Sequence, residues 1–139
     1  MAKQVGYHSI LAVTTTTGLA EIGQIRNISG PGVSANDVDT TTLDSSSNFR
    51  TFSCGLLDPG EVSFSTVYDP VTTATMHKRL AYYMGQRSTK TFTVYHGSST
   101  GDTDAFVGYV KAMGREVPLD DVISCDYTLK VTGLPAYTT

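Results

Sequence analysis

Gly97-Ser98-Ser99-Thr100-Gly101 matches GxSxG, the pattern that lifts a nucleophilic serine onto a sharp strand-to-helix turn. Such a serine needs a base within hydrogen-bond reach and amide donors at a helix start, where an oxyanion can form. The strand pattern KTFTVYH precedes the motif, but DTDAFVGYV after it reads as loop and strand, so no helix start follows. The motif reads as a solvated Ser/Gly loop. A serine hydrolase at Ser99 is the catalytic rival, and labelling by a fluorophosphonate probe separates the two.

The other reactive types give less. His8, His77 and His96 show no HExxH or i, i+4 pairing, so local spacing predicts no zinc site. Asp37 with Asp39, and Asp102 with Asp104, resemble the start of calcium loops, but neither run continues with the oxygen ligands and terminal Glu of an EF-hand. Cys54 and Cys125 lack a CxxC partner and both fall in strand patterns, which predicts buried free thiols in a reducing compartment. Asn27-Ile28-Ser29 is a formal glycosylation sequon with no signal peptide before it. Gly30-Pro31-Gly32 is a turn without the Lys and hydroxyl of a phosphate loop, and a chain with no Trp lacks the usual sugar platform. No catalytic residue, metal or cofactor is expected.

At 139 residues the chain is expected to form one domain, residues 1–139, with an ordinary core. A content of 40% hydrophobic and 17% charged residues fits a globular protein, and no segment approaches the ~20 apolar residues of a membrane helix. MAKQVGYHSILAVTTTT carries no h-region or cleavage site, so no secretory leader is expected. A net charge of −3 argues against gripping phosphate backbones by neutralising them.

Strands must position whatever these residues do. YHSILAV (7–13) and IGQIRNIS (22–29) read as strands separated by the Thr run 14–17 and Gly18. Residues 30–48 are rich in Gly, Ser, Thr, Asn and Asp, with Val38 and Leu43 as anchors, and read as a long loop or a loosely held hairpin. FRTFSCGLL (49–57) is a strand, Asp58-Pro59-Gly60 a tight turn, and Glu61 to Tyr68 a strand with Val62, Phe64, Thr66 and Tyr68 on one face.

Asp69-Pro70 then predicts an N-cap and first helical position. The helix runs from residue 70 to 84, with Met76, Leu80, Tyr83 and Met84 on one side and Gly85 as C-cap. Residues 90–96, 105–113 and 122–132 are strands, and 114–121 is the tip of a hairpin joining the last two. In 105–113, Phe106, Val110 and Ala112 fall on one face and Val107, Tyr109 and Met113 on the other, which calls for cover on both sides. The helix, a neighbouring subunit, or burial within the domain would each supply it.

The run DVDTTTLDSSSNFRTFSCGLLDPGEVSFSTVYDP (37–70), one helix, and the late pair AFVGYVKAM and DDVISCDYTLKVTG resemble the tail tube proteins of long-tailed bacteriophages. TTLDSS, FRTF, GLLDPGEVSF with YDP, and TLKVTG carry the resemblance, which spans residues 20 to 133. It implies a mainly β fold, a β-sandwich or partial barrel of two antiparallel sheets with one flanking helix, assembling into hexameric rings with a continuous inner β-barrel. The implied role is a structural virion protein of the phage tail, assembled in the host cytoplasm, whose stacked rings form a conduit for DNA ejection. Implied partners are other copies of itself, a tape-measure protein, terminator and distal tail proteins, and viral DNA in transit without specific binding. The relatives' extra C-terminal immunoglobulin-like domain is not expected here.

Under this resemblance the loop becomes ordered against neighbouring subunits, with Asp37, Val38, Asp39, Thr40, Leu43, Asp44, Phe49 and Arg50 as interface candidates. Core packing is the competing role for Phe49. A bore that passes DNA must repel phosphate. Glu61 and Asp126, on the polar faces of good strands, are the lumen candidates, against the alternative that those faces meet outside solvent. The rival readings are a bacterial secretion-system tube protein of related fold and a monomeric ligand-binding β-sandwich.

Overall fold

The structure, a computed structural model, describes residues 9–16, 18–44, 48–69, 74–97 and 102–138. Its elements are β1 (Ile10–Thr15), β2 (Gly18–Ile22), β3 (Ile25–Ser29), β4 (Ser34–Asp39), β5 (Phe52–Asp58), β6 (Glu61–Val67), α1 (Ala74–Gln86), β7 (Lys90–Tyr95), β8 (Thr103–Glu116) and β9 (Ser124–Thr138). Seven strands form one antiparallel sheet in the order β2-β1-β7-β8-β9-β6-β3, and β4 and β5 form a second sheet alone. The fold is therefore mainly β, with two antiparallel sheets and, among the described residues, one helix.

The seven-stranded sheet curls into a partial barrel. Its outermost strands, β2 and β3, are consecutive in the chain with only Gly23 and Gln24 between them. Gln24 takes the left-handed conformation, φ 57°, and its carbonyl accepts from the Val67 amide at 3.0 Å, which fixes the corner. Val94 of β7 and Ile28 of β3, two strands far apart in the sheet order, line one cavity of about 380 Å³.

Period-two alternation fills the interior. Leu11, Val13, Val62, Phe64, Phe92, Phe106, Leu129 and Val131 are buried together. Phe92 stacks on Phe106 at 5.6 Å and Phe64 on Tyr127 at 4.9 Å, pairs that add to area burial. Leu80, with Met76 and Tyr83 beside it, brings the apolar stripe of α1 onto this core. The Tyr127 hydroxyl lies 2.6 Å from His77 Nδ1, while Arg115 sits over the Tyr68 ring at 4.2 Å.

The structure moves several expected boundaries. The strand expected at 22–29 is two, because the chain turns at Gly23-Gln24, and β1 takes in Thr14 and Thr15 from the Thr run. Residues 34–39 of the expected loop pair with β5, so the hairpin alternative holds. The described helix begins at Ala74, and Pro70 lies outside the described residues. Gly85 is not the C-cap: α1 continues to Gln86, and Arg87 closes it in the left-handed region, φ 54°, donating its amide to Met84 O at 3.1 Å. Met84 consequently falls beyond the buried stripe and is exposed.

β8 and β9 run 14 and 15 residues, so their hairpin tip narrows to 117–123. A bulge between Val110 and Ala112 shifts the alternation of β8 by one residue. Met113 therefore packs on the core and Ala112 is exposed, the reverse of the faces expected for them. Cys125 is buried as expected, but Cys54 is exposed, because β5 lies in the sheet that covers nothing. His8 and the Ser98 to Gly101 part of the GxSxG motif lie outside the described residues.

Candidate assembly surfaces

β4 and β5 make a hairpin arm bonded to each other and to no strand of the main sheet. Almost nothing on it is buried: Val38, Phe52, Leu56 and Leu57 all face solvent, Leu56 at 85%. The Val38 Cγ2 and Asn36 carbonyl lie so close over Gly55 that a Cβ there would meet the carbonyl at 2.9 Å, which holds the two strands tightly together.

At the far end the arm is closed by polar contacts. The Thr40 amide donates to Thr51 O at 2.9 Å, the Thr51 amide to Thr41 Oγ1 at 2.8 Å, and the Thr41 amide to Asp39 Oδ1 at 2.9 Å. The Thr41 amide holds the Asp39 carboxyl below its ordinary range, and the Thr42 hydroxyl does the same for Asp44. Both carboxylates stay charged at the arm's end at neutral pH.

The near end is a crossing of two backbones. The Gly60 amide donates to Asp58 Oδ1 at 2.9 Å in the tight turn, and Gly60 adopts φ 75°. A Cβ on Gly60 would run into the Gly32 carbonyl, and one on Gly30 into the Glu61 carbonyl. Glycine is required where the strands leading into and out of the arm pass each other.

The structure brings all eight interface candidates onto this arm. Asp37, Val38 and Asp39 lie on β4, and Thr40, Leu43, Asp44, Phe49 and Arg50 in the segment beyond it. Phe49 is 80% exposed, so core packing within the subunit is not its role. Sequence reasoning missed Phe52, Leu56, Leu57 and Val33, also exposed. The signal was present: FSCGLLD has apolar residues on both faces, and that calls for cover on both sides.

Glu61 and Asp126 share the outward face of the main sheet, since Ser65 pairs with Asp126 and Glu61 with Lys130 across β6 and β9. They do not act as bare carboxylates in the same way. Lys111 Nζ donates to Glu61 Oε1, which lowers the Glu61 pKa and raises that of Lys111, and Lys130 lies 3.7 Å from Asp58. Asp126 is exposed beside Asn27, Ser63 and Ser65. The two lysines on this face went unremarked because their partners are distant in sequence.

Among the described residues no three His, Cys, Asp or Glu side chains group to hold a metal ion, and no helix is long and apolar enough to cross a membrane. His96 Nε2 lies 2.7 Å from Asp104 Oδ2, a pairing that gives Asp104 a structural partner.

A curled sheet carrying a separate two-stranded arm, apolar and with acidic residues at its end, is the architecture of a structural subunit. The family model of the lambda phage tail tube protein matches residues 6–138, and the chain belongs to that family. It is a tail tube protein. No curated protein sequence matches it. Among solved structures it is similar to a chain of the native gene transfer agent virion, with TM-score 0.76, 17% identity, and coverage of 99% of this chain and 100% of that one. It is also similar to a chain of the SPP1 tail tube, with TM-score 0.70, 10% identity, and coverage of 98% and 80%. A chain from the extended-state sheath/tube terminator of the PVC extracellular contractile injection system matches with TM-score 0.77, 12% identity, and coverage of 100% and 99%. These likenesses show the fold.

Proposed function

We propose that this chain polymerises as stacked hexameric rings into a phage tail tube and acts there as a conduit for viral DNA, without chemistry of its own. The observation that carries the reading is the arm: two strands with both faces exposed, bearing Val38, Phe52, Leu56 and Leu57, in a chain of the tail tube family. Clustered exposed apolar side chains of this kind mark a contact site for another chain. The eight residues from Asp37 to Arg50 are the subunit contact, and the outward face of β6 and β9 lines the bore.

In that bore Asp126 supplies the repulsion toward phosphate, while Glu61 is compensated by Lys111. The partners are other copies of itself, a tape-measure protein, terminator and distal tail proteins at the two ends, and DNA in transit. The place of action is the phage tail, after assembly in the host cytoplasm. Family membership favours this over a secretion-system tube, since the family model that matches residues 6–138 is that of a phage tail tube protein, while phage and injection-system structures alike share only the fold.

Negative-stain electron microscopy of the concentrated protein tests the reading. Rings or hollow rods are the expected result, and particles that remain monodisperse monomers at every concentration, with or without a tail initiator complex, would refute it.

A further inference from the structure

A groove of about 350 Å³ opens between the C-terminal turn of α1 and β8, lined by Tyr83, Met84, Arg87, Tyr109, Val110 and Lys111. Its position follows from the register. Among the described residues β7 pairs with β8 only as far as Gly108, so from Tyr109 onward this side of β8 has no strand beside it and α1 takes the place. Met84 and Tyr109 are about two-fifths exposed there. Lys90 adds its ammonium 4.8 Å from the Tyr83 ring.

The charges of the chain are segregated to match. Residues 71–101 hold Lys78, Arg79, Arg87 and Lys90 and no carboxylate, whereas residues 37–50 hold Asp37, Asp39 and Asp44 against the single cation Arg50. The arm's end also presents Leu43 and Phe49, both fully or largely exposed. One surface is thus apolar with an acidic border, and the other an apolar recess with a basic border.

The geometry points to the groove between α1 and β8 as the acceptor for the arm end of a second copy, with Leu43 or Phe49 seated on Met84 and Tyr109, and Asp39 and Asp44 facing Arg87 and Lys90. This rests on the tube reading above and adds to it the surface that receives the arm. Apolar anchors in a recess supply most of the affinity, and the charged border sets orientation and rejects other pairings. Among the described residues nothing of the arm's own subunit covers either face of β4 or β5, which favours a second copy as the occupant.

The test is disulfide trapping in assembled tubes, in a Cys54→Ser background with the buried Cys125 retained. Leu43→Cys with Met84→Cys is expected to give a ladder of multimers on a non-reducing gel, collapsing to monomer with dithiothreitol, while each single-cysteine variant stops at dimer. Tubes that form normally but give no ladder, or that give one only when Leu43→Cys is combined with Leu119→Cys at the β8–β9 tip, overturn the acceptor and leave the tube reading intact. Wild-type protein that makes no tubes, with or without a tail initiator complex, overturns both. A second arm reverses charge: Arg87→Glu with Lys90→Glu is expected to lower the polymerised fraction about tenfold or more, with Asp39→Lys and Asp44→Lys restoring it. Polymerisation unchanged by the first pair refutes the proposal, as does the absence of rescue by the second in a protein that still melts cooperatively.

Discussion

β5 and β6 are neighbours in the chain, joined only by Pro59 and Gly60, and both carry large apolar residues in a strand. In β6, Val62 and Phe64 are buried to within 2%. In β5, Phe52 and Leu56 are exposed, and only Gly55 is partly covered. The difference lies in what each strand pairs with. β6 lies between β3 and β9 with the core beneath it, while β5 pairs with β4 and, among the described residues, has no core beneath it. The same kind of residue therefore stabilises the subunit in one strand and stands exposed in the next, where the proposed assembly would cover it.

The contrast predicts opposite consequences for comparable substitutions. Phe49→Ala with Arg50→Ala is expected to abolish tubes in electron microscopy while leaving the thermal melt within about 0.5 kcal/mol of wild type. Unchanged tube yield would break the assignment of the arm. Phe92→Ala, in the body, is expected to cost about 3–5 kcal/mol of subunit stability by urea denaturation, from lost burial and the cavity left behind. A cost below about 1 kcal/mol there would erase the distinction between the regions.

Gly60→Ala probes the root that joins them. Its left-handed backbone and the Gly32 carbonyl beside it leave no room for Cβ, so a loss of about 1–3 kcal/mol is expected in the same denaturation assay. Leu56→Ser should sharpen the comparison in the other direction, changing subunit stability by less than about 0.5 kcal/mol while slowing polymerisation followed by light scattering.

The smallest effect is a pH dependence confined to the body. Burial, and then the positive charge of Arg115, pushes the His77 pKa below its ordinary 6.5. Tyr127 and Arg115 on the packed strands, and Tyr68 just after β6, are the titratable and charged groups that face it. The unfolded chain then binds the His77 proton more readily than the folded one, so stability falls as pH drops below about 6.5 and levels off below the folded value. His77→Gln should flatten that decline in melts between pH 7 and 5, and an unaltered slope would assign it to other groups.

Particular residues show how far the sequence could be read. Cys125 to Val131 and Val62 to Thr66 alternate so regularly that their strands and buried faces needed only the sequence, because burial on one side of a pleated strand imposes that period. Asp58-Pro59-Gly60 similarly determined its turn through backbone angles that Pro and Gly prefer. The bulge after Val110, the corner at Gln24, and the helix end at Arg87 were not legible, since each depends on where a partner strand or helix lies. Nor was the exposure of Cys54 and Phe52: apolar residues on both faces of FSCGLLD called for cover on both sides, but not for cover from outside the subunit.

The sequence by itself determined the tube family and most of the element types, and it named eight residues that the structure places on the arm, because those readings rest on local backbone preference and on wording close along the chain. Only the tertiary structure decided which apolar strands form the core and which stand free, and that Glu61 is answered by Lys111, fifty residues away. Burial and charge pairing are properties of distant segments brought together, and no local pattern encodes them.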